Sequence, residues 1–156
     1  MIELSASTEI DAPASAVWDA LTDLARFAEW NPFIRTASGT PAVGARLRVR
    51  VQSSLPFRLV FRPTVLALEK DRELRWRGHF GARWLARGDH TFTIRPSGDG
   101  RVRFEQREVF AGLVPRLAAR RLERETRRGF DAMNRALKER AERADRAQHP
   151  SPSAGA

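Results

Sequence analysis

Residues 88–110 read GDHTFTIRPSGDGRVRFEQREVF, and the alternation in this stretch decides the architecture. Phe92, Ile94, Val102 and Phe104 are apolar and even-numbered. Thr91, Thr93, Arg101 and Arg103 between them are polar. A period of two is that of a strand with one dry and one wet face, and the Ser97-Gly98-Asp99-Gly100 cluster between the two runs is a turn. The two runs therefore form an antiparallel hairpin. Keeping both apolar sets on one face requires paired residue numbers to sum to an even value. A three-residue loop at Gly98-Asp99-Gly100 then sets Phe92 opposite Gln106 and His90 opposite Glu108.

The same period runs upstream. Leu47, Val49 and Val51 alternate with Arg46, Arg48 and Arg50, and Leu74 and Trp76 alternate with Arg75 and Arg77. The run 57–68 is interrupted by Pro63, which predicts a bulge or an edge. Residues 33–112 thus read as a meander of about six strands, and Ile2, Leu4, Ala6 and Thr8 add an opening one. Between them, Asp11-Ala12-Pro13 starts a helix with a Val17, Leu21, Leu24 stripe. Asp23 starts a second short helix carrying Phe27 and Trp30, and Asn31-Pro32 stops it. After residue 112 the period becomes 3.6. Over 114–144, Ala118, Leu122, Thr126, Gly129, Met133, Ala136 and Leu137 share one side, with Arg116, Arg120, Arg124, Arg127, Arg135 and Lys138 opposite. The expectation is one α+β domain over residues 1–146, a curved antiparallel sheet around a long C-terminal helix. A small, proline-rich tail, 147–156, is expected to be disordered.

The chain has 156 residues, enough for a single sizeable core. It has no cysteine, which removes disulfide and thiolate chemistry, and only three histidines, which with no cysteine is a poor zinc set. No apolar run reaches the roughly 20 residues of a membrane span, and the N-terminus lacks a basic then apolar leader. A cytoplasmic protein is expected, monomeric or homodimeric. The formal net charge is +9, with lysine only at Lys70 and Lys138. Such arginine bias fits a GC-rich, bacterial genome. Eleven basic against six acidic side chains fall in 114–146. Their stripe reads as a solvated helix face, or as weak adhesion to an anionic surface without specific nucleic-acid binding. No phosphate-binding glycine loop and no Gly-x-Ser-x-Gly elbow occurs.

Two features point to a ligand. The inner face of the last helix mixes large residues (Leu122, Phe130, Met133, Leu137) with small ones (Ala118, Thr126, Gly129, Ala136). A curved sheet over small side chains leaves volume that either Trp76, Trp84, Phe92 and Phe104 fill or a small molecule does. The second feature is His90 and Glu108 on an otherwise apolar strand face. A buried carboxylate needs a partner. The pair is either a tie between strands or a polar anchor and acid–base pair at the end of a pocket.

These patterns are recognisable together. Ala12-Pro13, Val17-Trp18, Leu21-Thr22-Asp23, Phe27 and Trp30-Asn31-Pro32-Phe33 come early in the chain. Gly88-Asp89-His90 and Glu108-Val109-Phe110-Ala111-Gly112-Leu113 come late. With these the chain resembles the START-like, helix-grip superfamily, in the polyketide cyclase/dehydrase-like branch of SRPBCC proteins. The resemblance implies a seven-stranded sheet gripping the last helix, with two short helices after the first strand. It implies a cavity lined by His90, Gln106, Glu108 and the inner face of the helix. Trp30, Phe33, Trp76, Phe80, Trp84, Phe92 and Phe104 are further lining or entrance residues. It implies binding of a small hydrophobic or aromatic molecule, such as a lipid, polyketide or quinone-like compound, with no metal or nucleotide cofactor. The alternative it implies is a cyclase, aromatase or hydrolase using His90 and Glu108. The chain has no tyrosine, which many cyclases place in the pocket, and two polar groups alone lack an electrophilic stabiliser. Both weigh towards binding.

Overall fold

A computed structural model describes residues 1–52, 59–79, 81 and 84–149. The chain opens with strand β1 (Ile2–Ile10), then helix α1 (Ala14–Thr22), a 3-10 turn (Leu24–Arg26) and the single-turn helix α2 (Phe27–Trp30). Strands β2 (Ile34–Ser38), β3 (Arg48–Val51), β4 (Leu59–Phe61), β5 (Thr64–Glu69), β6 (Glu73–His79), β7 (Arg87–Gly98) and β8 (Arg101–Ala111) follow. The short helix α3 (Leu113–Leu117) and the long helix α4 (Ala119–Gln148) close the chain.

All strand pairs are antiparallel. They form a five-stranded sheet, β1-β8-β7-β6-β5, and a three-stranded sheet, β2-β3-β4. The expected single seven-stranded sheet is corrected here: the described residues hold eight strands in two sheets. Pro63 is the cause. It has no N–H for a ladder, and it separates β4 from β5 inside what the sequence pattern reads as one run. The sheets still touch at that corner, where the Leu47 N–H donates to the Pro63 carbonyl and the Val65 N–H to that of Ala45, both at 2.9 Å.

The β7–β8 register places Phe92 opposite Gln106 and His90 opposite Glu108, as the alternation requires. The loop differs in detail. Gly98 pairs with Arg101 across a two-residue turn, Asp99 and Gly100 both having positive φ, and a bulge near Ser97 restores the register.

His90, Phe92 and Ile94 of β7 and Val102, Phe104 and Gln106 of β8 face inward and are buried. Helix α4 crosses them, packing on β1 and α1. Its buried residues are Thr126, Phe130, Met133, Asn134, Leu137 and Ala141, at helical spacing. Leu74, Phe92, Phe104, Met133 and Leu137 have no exposed surface. The dry core thus lies under the middle and C-terminal parts of α4. The single helix expected over 114–144 is broken at Ala118 (φ −104°, ψ 18°), separating α3 from α4. At the other end α4 runs to Gln148, two residues into the stretch expected as a tail from 147, and residues 150–156 lie outside the described ones.

Candidate ligand cavity

Beyond the dry core, where the inner face of the hairpin continues to Gly88 and Phe110, no helix side chain fills the sheet. A cavity of about 430 Å³ opens there. Its walls are Val49 and Val51 of β3, Phe61 of β4, Trp76 and Gly78 of β6, and Gly88, His90, Glu108 and Phe110 of the hairpin. Val114, Pro115, Ala118, Leu122 and Thr126 close the helical side, and Phe33 and Ile34 one end. The volume lies within the usual range for small-molecule sites, and the apolar lining with few polar groups is their common make-up.

Local sequence positions each wall. Asn31 is buried, and its Oδ1 accepts from the Phe33 and Ile34 N–H groups at 3.0 and 2.8 Å. This turn stops α2 and aims Phe33 at α4, where its ring meets Phe130 edge-on at 5.8 Å between centroids.

The polar centre is the predicted pair. His90 Nδ1 lies 2.8 Å from Glu108 Oε2, with the histidine side chain 5% and the glutamate 13% exposed. The imidazole stacks on Phe92, with centroids 4.0 Å apart, and has Trp76 edge-on at 5.9 Å. With Nδ1 held by the carboxylate, Nε2 remains. It is buried and has no partner among the described residues. Gly88 makes room for this arrangement: a Cβ there would clash with Glu108 Oε1. The sequence pattern gives no sign of that close approach.

Of the expected site residues, Phe33, Trp76, His90, Glu108 and Thr126 stand together on the cavity wall. Others do not, and the expectation is corrected for them. Phe92, Phe104, Phe130, Met133 and Leu137 are core residues, closed off by their own packing. Gln106 is buried beside them, its Nε2 donating to Asn134 Oδ1 at 2.6 Å, so it ties β8 to α4 and stays away from the cavity. Beneath Gly129 there is no free space, because the Phe33 ring fills it. Trp30 packs edge-on against Phe27 outside the cavity. Trp84 is 69% exposed. Phe80 lies outside the described residues. Sequence reasoning missed Asn134, although its spacing of four from Phe130 marks the inner face. It also missed the apolar walls contributed by β3 and β4, which alternation alone could not aim at a cavity.

Among the described residues no group of three or more His, Asp or Glu side chains could hold a metal ion, and no helix is long and apolar enough to cross a membrane. Residues 1–142 match the family model described as polyketide cyclase / dehydrase and lipid transport. The chain belongs to this family. Solved structures with the same fold as this polyketide cyclase/dehydrase family member include the Zhui aromatase/cyclase from Streptomyces sp. R1128. That protein is 19% identical, covering 96% of this chain and 99% of its own, with a TM-score of 0.80. A START superfamily protein from Mycobacterium smegmatis is 17% identical over 91% of this chain and 98% of its own, with a TM-score of 0.71. A Mesorhizobium loti protein is 26% identical over 92% and 99%, with a TM-score of 0.69. No curated protein matches the chain in sequence.

Proposed function

We propose that this protein binds a small hydrophobic or aromatic molecule, such as a lipid, polyketide or quinone-like compound, between its sheets and the start of α4. The observation that carries the reading is the cavity of about 430 Å³, lined mostly by apolar side chains, with the His90–Glu108 pair in its wall. The Glu108 carboxylate, still partly exposed on the cavity wall, can accept a hydrogen bond from a hydroxyl on a bound molecule. Family membership supports the same reading, since the family description includes lipid transport as well as cyclisation. The test is native mass spectrometry of the protein from its own host, beside Thr126→Phe, which fills the cavity from α4. A retained apolar molecule in the wild type, lost in a folded Thr126→Phe, is the expected result. Equal retention by both would place the ligand elsewhere.

The second reading is a cyclase, aromatase or hydrolase. The His90–Glu108 contact favours it, because a carboxylate on Nδ1 orients the ring and leaves Nε2 to take a proton. The likeness to an aromatase/cyclase fold agrees with it. In that case His90→Ala and Glu108→Gln would remain folded and lose turnover by a factor of about 10² or more. Variants that keep turnover, or an absence of turnover with a bound polyketide, leave the binding reading alone.

A further inference from the structure

The rim of the cavity carries an exposed apolar surface, most of which lies outside the cavity lining. Trp84 is 69% exposed, Leu117 79%, Leu113 46% and Val114 40%. Two backbone hydrogen bonds bring them to one corner of the molecule. The Leu113 N–H donates to the Trp84 carbonyl at 3.3 Å, and the Val114 N–H to that of Leu85 at 3.0 Å. Gly112 permits this approach: its φ is +118°, and a Cβ there would stand 2.6 Å from the Leu85 carbonyl oxygen. Leu113 and Leu117 are one helical turn apart on α3. Large apolar side chains gathered in the open mark an interaction site.

Charge says what kind. Residues 113–128 hold six arginines and two glutamates. Arg121 pairs with Glu125. Arg116, Arg120, Arg124, Arg127 and Arg128 have no ion-pair partner among the described residues. An exposed tryptophan with leucines, set among unspent guanidinium groups, matches the boundary of an anionic bilayer. There apolar side chains enter the acyl edge, the indole sits at headgroup depth, and arginines meet lipid phosphates. A nucleic acid would satisfy the arginines and leave the apolar residues without a role.

We infer that α3, the 84–85 turn and the first turns of α4 dock on the surface of an anionic lipid bilayer. Val114 and Pro115 of this segment also wall the cavity. Docking therefore sets the cavity beside the phase in which an apolar ligand would be dissolved. The inference stands apart from the ligand's identity, because Trp84 and Leu117 are not cavity residues.

The experiment is co-sedimentation with vesicles of phosphatidylcholine alone and with about 30% phosphatidylserine. Wild type, Trp84→Ser, Leu117→Ser and Arg120→Glu/Arg124→Glu are compared at low and high salt, beside uptake of the neutral probe phenylnaphthylamine in free solution. Wild type is expected to bind the anionic vesicles at least roughly tenfold better, the difference falling with salt. Trp84→Ser and Leu117→Ser should each weaken that binding several-fold, with thermal stability and probe uptake unchanged, and the double glutamate variant should lose the preference for anionic lipid. No binding to anionic vesicles would overturn the inference. So would binding indifferent to Trp84 and Leu117, which would leave adhesion to the arginines alone. A concentration-dependent dimer abolished by the same two substitutions, with no vesicle binding, would assign the face to self-association. Loss of probe uptake in wild type, with vesicle binding intact, would count against the ligand reading and leave the docking standing.

Discussion

At Gly88 the absence of one carbon decides where a carboxylate can lie. Glu108 reaches His90 over the bare backbone of the neighbouring strand, and the imidazole that it meets is packed against Trp76, Phe92 and Phe130. Alternation in the hairpin makes this pair legible before any coordinates, since register is fixed wherever one face is dry. It does not make Gly88 legible, because the close approach is between chains of different strands. Nor does it separate Gln106 from Glu108. Both are inward and polar, yet one is sealed against Asn134 and the other opens on the cavity. The difference is where α4 lies, which no strand pattern contains. Gly88→Ala tests the arrangement. The added methyl must displace the Glu108 carboxylate, so the variant is expected to lose about 1–3 kcal/mol in denaturant unfolding. If stability is unchanged and Glu108 still meets His90, the close approach is not a constraint.

Helix α4 is an element whose existence and inner face follow from the 3.6 period, and whose attachment does not. Its far half is pinned by contacts that sequence spacing does not foretell. The Asp11 N–H donates to Glu142 Oε1 at 2.9 Å, and Lys138 Nζ donates to the Glu9 carbonyl at 2.9 Å and to Glu142. For the Glu142 carboxyl, burial pushes upward. The Lys138 hydrogen bond, the Asp11 N–H and the charges of Lys138 and Arg146 together outweigh it and hold the group below its ordinary value of 4.5. A carboxyl lowered in the folded state favours folding when ionised. That contribution is complete above the ordinary value and is lost as pH falls through the lower, folded one. Glu142→Gln is therefore expected to be less stable than wild type at neutral pH, by about 1 kcal/mol for the hydrogen bonds weakened. The gap should narrow as pH drops below 4.5, as urea midpoints across pH would measure. A gap constant with pH would show that the carboxylate charge is not what holds the helix end. The break at Ala118 was not legible either. Pro115 sits in a first turn, where proline is tolerated, and the periodicity passes through it unmarked.

Across the whole molecule, the sequence pattern specifies strand, helix pair, meander and gripping helix in order, because each follows from local period and turn chemistry. The division into two sheets and the position of the cavity depend on how distant elements lie over one another. The small residues of α4 pointed to a space. Gly129 marks where Phe33 inserts instead, and the space lies nearer the helix start. The charge is likewise uneven. Ion pairs dress the far half of α4 and the outer sheet face, whereas near α3 only Arg121 has an acidic partner among the described residues, and Arg116, Arg120, Arg124, Arg127 and Arg128 have none there. Both differences divide the molecule the same way, into an end that is closed and an end that is not.

Helix α4 is consequently a cantilever. From Thr126 to Ala141 it is clamped to β1, α1 and the hairpin, with Phe130, Met133 and Leu137 fully enclosed. From Thr126 back to the break at Ala118 it spans the cavity, and α3 beyond the break is held by two backbone bonds to the 84–85 turn and by the buried Pro115. Lifting the free end breaks few contacts, whereas lifting the clamped end breaks the core, so their opening free energies must differ widely. Amide hydrogens of residues 117–122 are expected to exchange orders of magnitude faster than those of 130–141, and the fast set should slow when an apolar guest fills the void beneath it. Uniform protection along the helix would mean that the free end is braced by something other than its visible contacts. With a graded pattern, the fold keeps its shape with one end of the beam and leaves the other free to open.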